Sequence, residues 1–262
     1  MNNDQQGHQT AVLIHGLSET REAWAHQLPF LRQSREAIAY DIRGFGRSPV
    51  GSGDGTVEQM ADDLAQLVSA CSHGPAWLVG FSMGGVIAQR FALDFPEMTA
   101  GLVLIASSCT VGQSGQAFFH SRIKNVTDDG LEAIAAITAT DARGCFALGD
   151  EQLINEYQEL RTAAVRDTNG YLNACRAMLR LGDNPMTEEL AGIACPTLVI
   201  AAEHDPYCPP RASEMIARAI PAAQFKVIAE AGHCMHWEAS TKTNHLIGAF
   251  IDEHEYKQVK QA

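Results

Sequence analysis

The stretch Ala76-Trp77-Leu78-Val79-Gly80-Phe81-Ser82-Met83-Gly84-Gly85 constrains this chain more than any other. An apolar run from Ala76 to Val79 ends in a Gly-x-Ser-x-Gly pattern, and helical apolar spacing follows from Met83 to Phe95. A strand must therefore turn into a helix within a few residues, with the serine at the turn. Such a serine takes a strained backbone, and its hydroxyl stands clear of the sheet. Gly80 and Gly84 flank it because a Cβ there would strike the neighbouring turn. The helix start aims its first unpaired N–H groups at whatever the serine attacks. The bland reading of the same pattern is an ordinary Gly/Ser loop.

Around this turn, short apolar runs alternate with helical patterns. Ala11–Ile14, Ala37–Tyr40, Leu102–Ile105, Pro196–Ala201 and Phe225–Ile228 read as further strands. Their β-branched, unalternating composition suits a buried parallel sheet. Trp24–Arg32 reads as a short helix. Thr56 and Gln59 form a T-x-x-Q capping box, before a helix that buries Val57, Met60, Ala61, Leu64 and Val68. Pro96 ends the helix after the serine, Pro210–Ile220 is another helix, and Ser240–His254 is the last. Asp41–Pro49 reads as a turn-rich loop with a bracing role, direct contact with substrate being the minor alternative. From Ala106 to Asn184 the strand rhythm stops, and 131–140, 151–165 and 171–181 have helical spacing. The expectation is an α/β protein with a mostly parallel, doubly wound sheet. Residues 1–106 and 185–262 form the core, and 107–184 are a helical cap over the strand ends.

A serine hydroxyl needs a base, and the base needs an anionic partner. Asp205 follows the strand at 197–201, in a loop bounded by Pro206, Pro209 and Pro210. Glu203 competes with it, and Asp94 and Asp183 are more distant options. Among ten histidines, His233 follows Gly232 directly after the last strand, with His236 and His204 as rivals. The order Ser…Asp…His favours His233 and Asp205. At the end of the first strand, His15-Gly16-Leu17 lets the backbone come close to a ligand, and the Leu17 N–H could face an oxyanion.

Composition narrows the partners. The formal net charge of −12 in 262 residues argues against nucleic acid and anionic membranes. Seven scattered cysteines, with no C-x-x-C pair, suggest reduced thiols and a cytoplasmic setting. The polar start, Met1–Gln6, lacks a signal-peptide core, and no run reaches a membrane span. No metal-ligand spacing and no dinucleotide-binding glycine pattern is present, so neither metal nor cofactor is expected. Cys208 and Cys234 read as small buried hydrophobes.

These motifs together make the chain resemble the α/β-hydrolase superfamily over nearly its whole length. The matching pieces are His15-Gly16, D-x-R-G-x-G-x-S from Asp41 to Ser48, G-F-S-M-G-G from Gly80, the His204-Asp205-Pro206 loop, and G-H-x-x-x-x-E from Gly232 to Glu238. The resemblance implies Ser82 as nucleophile, His233 as base, Asp205 as acid, and an oxyanion hole from the N–H groups of Leu17 and Met83. Within the superfamily the chain is most similar to the 3-oxoadipate enol-lactonases, through Phe119–Ile123, Tyr171–Arg176 and Cys195–Ala201. That likeness implies that Arg122 pairs with a substrate carboxylate, as a guanidinium fork can. The alternative is a surface arginine on a cap helix. The superfamily's N-terminal hairpin has no counterpart here, which implies about six strands, with 37–40 near an open edge blunted by Arg35 and Glu36.

The resulting expectation is a cofactor-free serine hydrolase acting on a small carboxylic ester or lactone, as a monomer or homodimer. Two alternatives reuse the same three residues: a C–C bond hydrolase of ring-cleavage products and a cofactor-free perhydrolase. A small-ligand receptor on a hydrolase scaffold is the alternative outside enzymes.

Overall fold

Among the described residues all six strands run parallel, so their C-terminal ends form a single rim. The computed structural model describes residues 8–261; the polar start read at residues 1–6 lies outside them. The strands are β1 (Ala11–Ile14), β2 (Ala37–Tyr40), β3 (Ala76–Phe81), β4 (Thr99–Ile105), β5 (Thr197–Ala202) and β6 (Gln224–Ile228). The sheet order is β2-β1-β3-β4-β5-β6. Every residue of β1, β3, β4 and β5 is buried. Their continuous apolar sequences reflect helices on both faces.

Alternation along the strands divides the core. Val12, Ile14, Leu78, Leu102, Leu104 and Val199 face α2 (Val57–Cys71) and α3 (Met83–Asp94). Leu13, Trp77, Val79, Phe81, Val103 and Ile200 face the other way, against Trp24 and Ile247, Phe250 and Ile251 of the C-terminal helix. Between Trp24, which ends a 3-10 turn, and β2 lies α1 (Gln27–Leu31). The helix expected at 24–32 is therefore shorter and begins after a separate turn. The capping box is half formed. Thr56 accepts from the Gln59 N–H at 3.1 Å, but the Gln59 amide donates to the Ser52 carbonyl instead of returning to Thr56.

Three helices lie between β4 and β5: α4 (Gln113–Gly144), α5 (Glu151–Ala164) and α6 (Thr168–Asp183). Helix α4 is two helices joined at Gly130, whose φ of 62° and ψ of −134° only a glycine adopts at little cost. The chain closes with α7 (Pro210–Ala219), a single turn α8 (Met235–Glu238) and α9 (Ser240–Gln261).

β2 lies at one edge of the sheet. Arg35, however, does not blunt that edge toward solvent. It is buried, and its guanidinium pairs with Asp252 and, at 2.7 Å, with Glu255 of α9. Glu255 also accepts from the Trp77 indole N–H at 3.2 Å. A buried charge needs partners, and here they come from the far end of the chain, which periodicity does not report.

Candidate active site

Register brings the loops together. Ile14 pairs with Gly80, and Phe81 with Ile105, so the residues after β1, β3 and β4 emerge side by side. Ser82 sits between β3 and α3 with φ 52° and ψ −117°, a conformation that costs a non-glycine residue energy and persists only where its surroundings enforce it. They do so here. The Ser82 N–H donates to the Ile105 carbonyl at 2.9 Å, and the Ser107 hydroxyl donates to the Ser82 carbonyl at 2.9 Å. A Cβ on Gly84 would lie 2.1 Å from the Ile14 carbonyl oxygen, and one on Gly80 would lie 2.5 Å from that of Gly84. Glycine is what lets α3 seat directly on the sheet.

His233 Nε2 lies 3.2 Å from the Ser82 hydroxyl oxygen, and its Nδ1 lies 2.7 Å from Asp205 Oδ2. With Nδ1–H donating to the carboxylate, Nε2 is free to accept from the serine. The other Asp205 oxygen accepts from the Tyr207 and Cys208 N–H groups, both at 2.8 Å, which fixes the carboxylate within its Pro-bounded loop. Burial by itself would lower the His233 pKa. The Asp205 charge and hydrogen bond outweigh it and hold the imidazole above its ordinary value. Cys208 is half-buried at the cavity wall rather than fully inside as expected, and desolvation, then the Asp205 charge, push its thiol pKa well up, so it stays protonated.

The rivals sit elsewhere. His204 is exposed, 3.8 Å from Glu203. Glu203 itself accepts from the Glu230 N–H. His236 is buried against Phe81, ring centroids 4.1 Å apart, with neither ring nitrogen hydrogen-bonded among the described residues. Burial, and then the neighbouring charge of His233, push its pKa well down and keep it neutral.

The loop after β1 is held at several points. His15 Nε2 accepts from the Ile42 N–H at 2.9 Å, and its Nδ1 donates to the Gly16 carbonyl at 2.8 Å. Glu19 accepts from the Gly16 N–H at 2.7 Å. Ser18 takes a left-handed φ of 59°. Leu17 and Met83 both border a cavity of about 630 Å³ that also contains Ser82 and His233. The Asp41 loop braces this region, because one Asp41 oxygen accepts from Arg21 N–H and the other from Arg47 N–H.

Arg122 is placed differently from what the enol-lactonase likeness implied. It does not border the cavity; it pairs with Asp141 at 2.5 Å and lies 4.3 Å over the Phe118 ring. Asp141 and Arg161 border the cavity instead, 3.5 Å apart. The sequence pattern did not reveal either residue, nor Tyr157, whose hydroxyl donates to Glu19. It also missed the work of Glu238, which accepts from Gly232, Ala147 and Leu148 N–H groups and so joins the His233 loop to the end of α4. The G-H-x-x-x-x-E spacing was the only available signal for that last contact. Among the described residues, no group of three or more His, Cys, Asp or Glu side chains is placed to hold a metal ion.

The profile of the alpha/beta hydrolase fold family matches residues 11–240. The chain belongs to that family. A hydrolase of this superfamily, it is 26% identical over 240 residues to 3-oxoadipate enol-lactonase 2 of Acinetobacter baylyi, covering 92% of this chain and 87% of that protein. It is 28% identical over 234 residues to a protein of Pantoea ananatis named provisionally as the carbamate hydrolase RutD, covering 87% of this chain and 82% of that one. Among solved structures, a thermophilic esterase from Thermogutta terrifontis superposes with a TM-score of 0.85 at 28% identity, covering 96% of this chain and 92% of that chain. No helix among the described residues is long and apolar enough to cross a membrane.

Proposed function

We propose that this protein is a cofactor-free serine hydrolase that cleaves a small carboxylic ester or lactone. The observation that carries this reading is the hydrogen-bonded chain Asp205–His233–Ser82 opening onto the cavity. Ser82 attacks the carbonyl while His233 accepts its proton, and Asp205 stabilises the imidazolium that forms. The Leu17 and Met83 N–H groups receive the developing oxyanion, where one such donor typically contributes about 3 kcal/mol. His233 then protonates the leaving oxygen, and water releases the acyl group from Ser82. Arg122 holds Asp141 in place at the cavity wall.

The cavity volume of about 630 Å³ suits a small molecule. Phe118, Phe119, Met178 and Met215 supply apolar walls, and Asp141, Arg161 and Tyr207 supply polar ones. The names of the relatives, an enol-lactonase, an esterase and a carbamate hydrolase, all describe cleavage at an acyl carbon, which supports the same class.

Ser82→Ala tests the reading directly. Hydrolysis of p-nitrophenyl acetate and butyrate should fall by about 10⁴-fold or more, with the circular dichroism of the folded protein unchanged. Near-native turnover by the folded variant would refute it. A panel of enol-lactones, carbamates, simple esters and vinylogous diketones then separates ester, lactone and C–C bond cleavage.

A further inference from the structure

Glu19 is a fully buried carboxylate that the hydrolytic steps do not use. One of its oxygens accepts from the Gly16 N–H at 2.7 Å; the other accepts from the Tyr157 hydroxyl. Gly16 is the residue immediately before Leu17, and Tyr157 lies on cap helix α5. The contact therefore spans 138 positions of sequence and joins the cap to the loop at the end of β1. Arg161, one turn further along α5, approaches the Tyr157 hydroxyl at 3.5 Å and borders the cavity. A Cβ on Gly16 would lie 3.2 Å from this same Glu19 oxygen. A buried carboxylate is costly unless its acceptors are filled. Retaining one between two polar hydrogens, rather than an apolar side chain, fixes two pieces of backbone relative to each other.

We propose that Glu19 is a positioning residue, which ties the cap through Tyr157 to the β1 loop and thereby aims the Leu17 N–H at the oxyanion. This rests on the serine-hydrolase reading above. Its effect belongs to the transition state, because the oxyanion position is occupied by full charge only there.

Glu19→Ala should lower kcat by about 10- to 100-fold, the range for residues that orient a first layer of contacts, with KM within about threefold of the starting value. Benzeneboronic acid, whose adduct on the Ser82 oxygen carries a tetrahedral anion, should lose affinity by the same factor as kcat. A residue that merely stabilises the fold would not link those two losses. Glu19→Gln should recover most of kcat, since its amide oxygen can accept from Gly16 and its NH₂ can reach the Tyr157 oxygen. Tyr157→Phe should reduce kcat by about three- to tenfold, and adding it to Glu19→Ala should cost nothing further, as expected for one shared pathway.

A folded Glu19→Ala variant with unchanged kcat, or one whose loss lies only in KM, would overturn the proposal. If Glu19→Ala does not fold, Tyr157→Phe decides: native kcat and native boronic-acid affinity in that variant would overturn it. These outcomes are separable from failure of the hydrolase reading, which Ser82→Ala alone tests.

Discussion

His15 and His233 are both buried imidazoles, and their partners drive them in opposite directions. Burial lowers the His15 pKa to about 4, and its hydrogen bond to the Gly16 carbonyl recovers only part of that. It therefore stays neutral near pH 7, with the tautomer that accepts from Ile42 and donates to Gly16. His233 has Asp205, and its pKa stays above the ordinary value. In the proposed role of general base His233 must be unprotonated, so kcat/KM should rise with pH through an inflection above about 6.5. Asp205→Asn removes the two largest contributions that raise the pKa, its charge and its hydrogen bond, and leaves burial opposed only by the smaller ones from Cys145 and Glu19. Imidazole NMR titration should then place the His233 inflection below that value. The same shift gives the protonated pair a stabilising role that is full below the unfolded-state pKa and fades as pH climbs through the folded one.

Among the elements, α3 shows how closely a helix can be seated on a sheet. Its first turn approaches β1 so nearly that Gly84→Ala must push the helix off the Ile14 carbonyl, since the added carbon would lie 2.1 Å from that oxygen. The variant should lose about 1–3 kcal/mol in urea unfolding, and its ester turnover should fall because Ser82 moves with the helix. This turn was legible in sequence because glycine spacing around a serine has few other physical explanations. The first half of α4 was not. Up to Gly130, α4 has a single buried side chain, Val126, and its two phenylalanines at 118 and 119 border the cavity. A helix that lines a cavity has no continuous apolar stripe to reveal it. The helices at 151–165 and 171–181 bury an apolar face, and their periodicity shows it.

Over the whole molecule, charged side chains, buried for Arg35 and Glu19 and half-buried for Glu238, join segments far apart in the chain. Arg35 ties the start of β2 to α9, Glu19 ties the β1 loop to α5, and Glu238 ties the His233 loop to the end of α4. Gly232 allows that last junction, as a Cβ there would lie 2.5 Å from the Cys145 carbonyl oxygen. Arg35→Ala would strand Glu255 with its remaining donors and remove the cation. Breaking such a buried pair costs about 3–5 kcal/mol, measurable as a lower urea midpoint, while ester turnover per folded molecule should stay near native because the sheet rim is far from this contact.

The sequence by itself determined the parallel sheet, the serine turn and the three loops that meet at the rim. Apolar runs and glycine positions express those features locally, and parallel strands place every strand end on one side. Only the tertiary structure decided which charged side chains go inside. Arg35 reads as an edge charge, and Arg122 as either a carboxylate partner, through the enol-lactonase likeness, or a surface arginine, yet one is buried beneath α9 and the other is paired with Asp141. A charge enters the interior where a partner of opposite sign awaits it, and those partners lie at sequence distances no local pattern records.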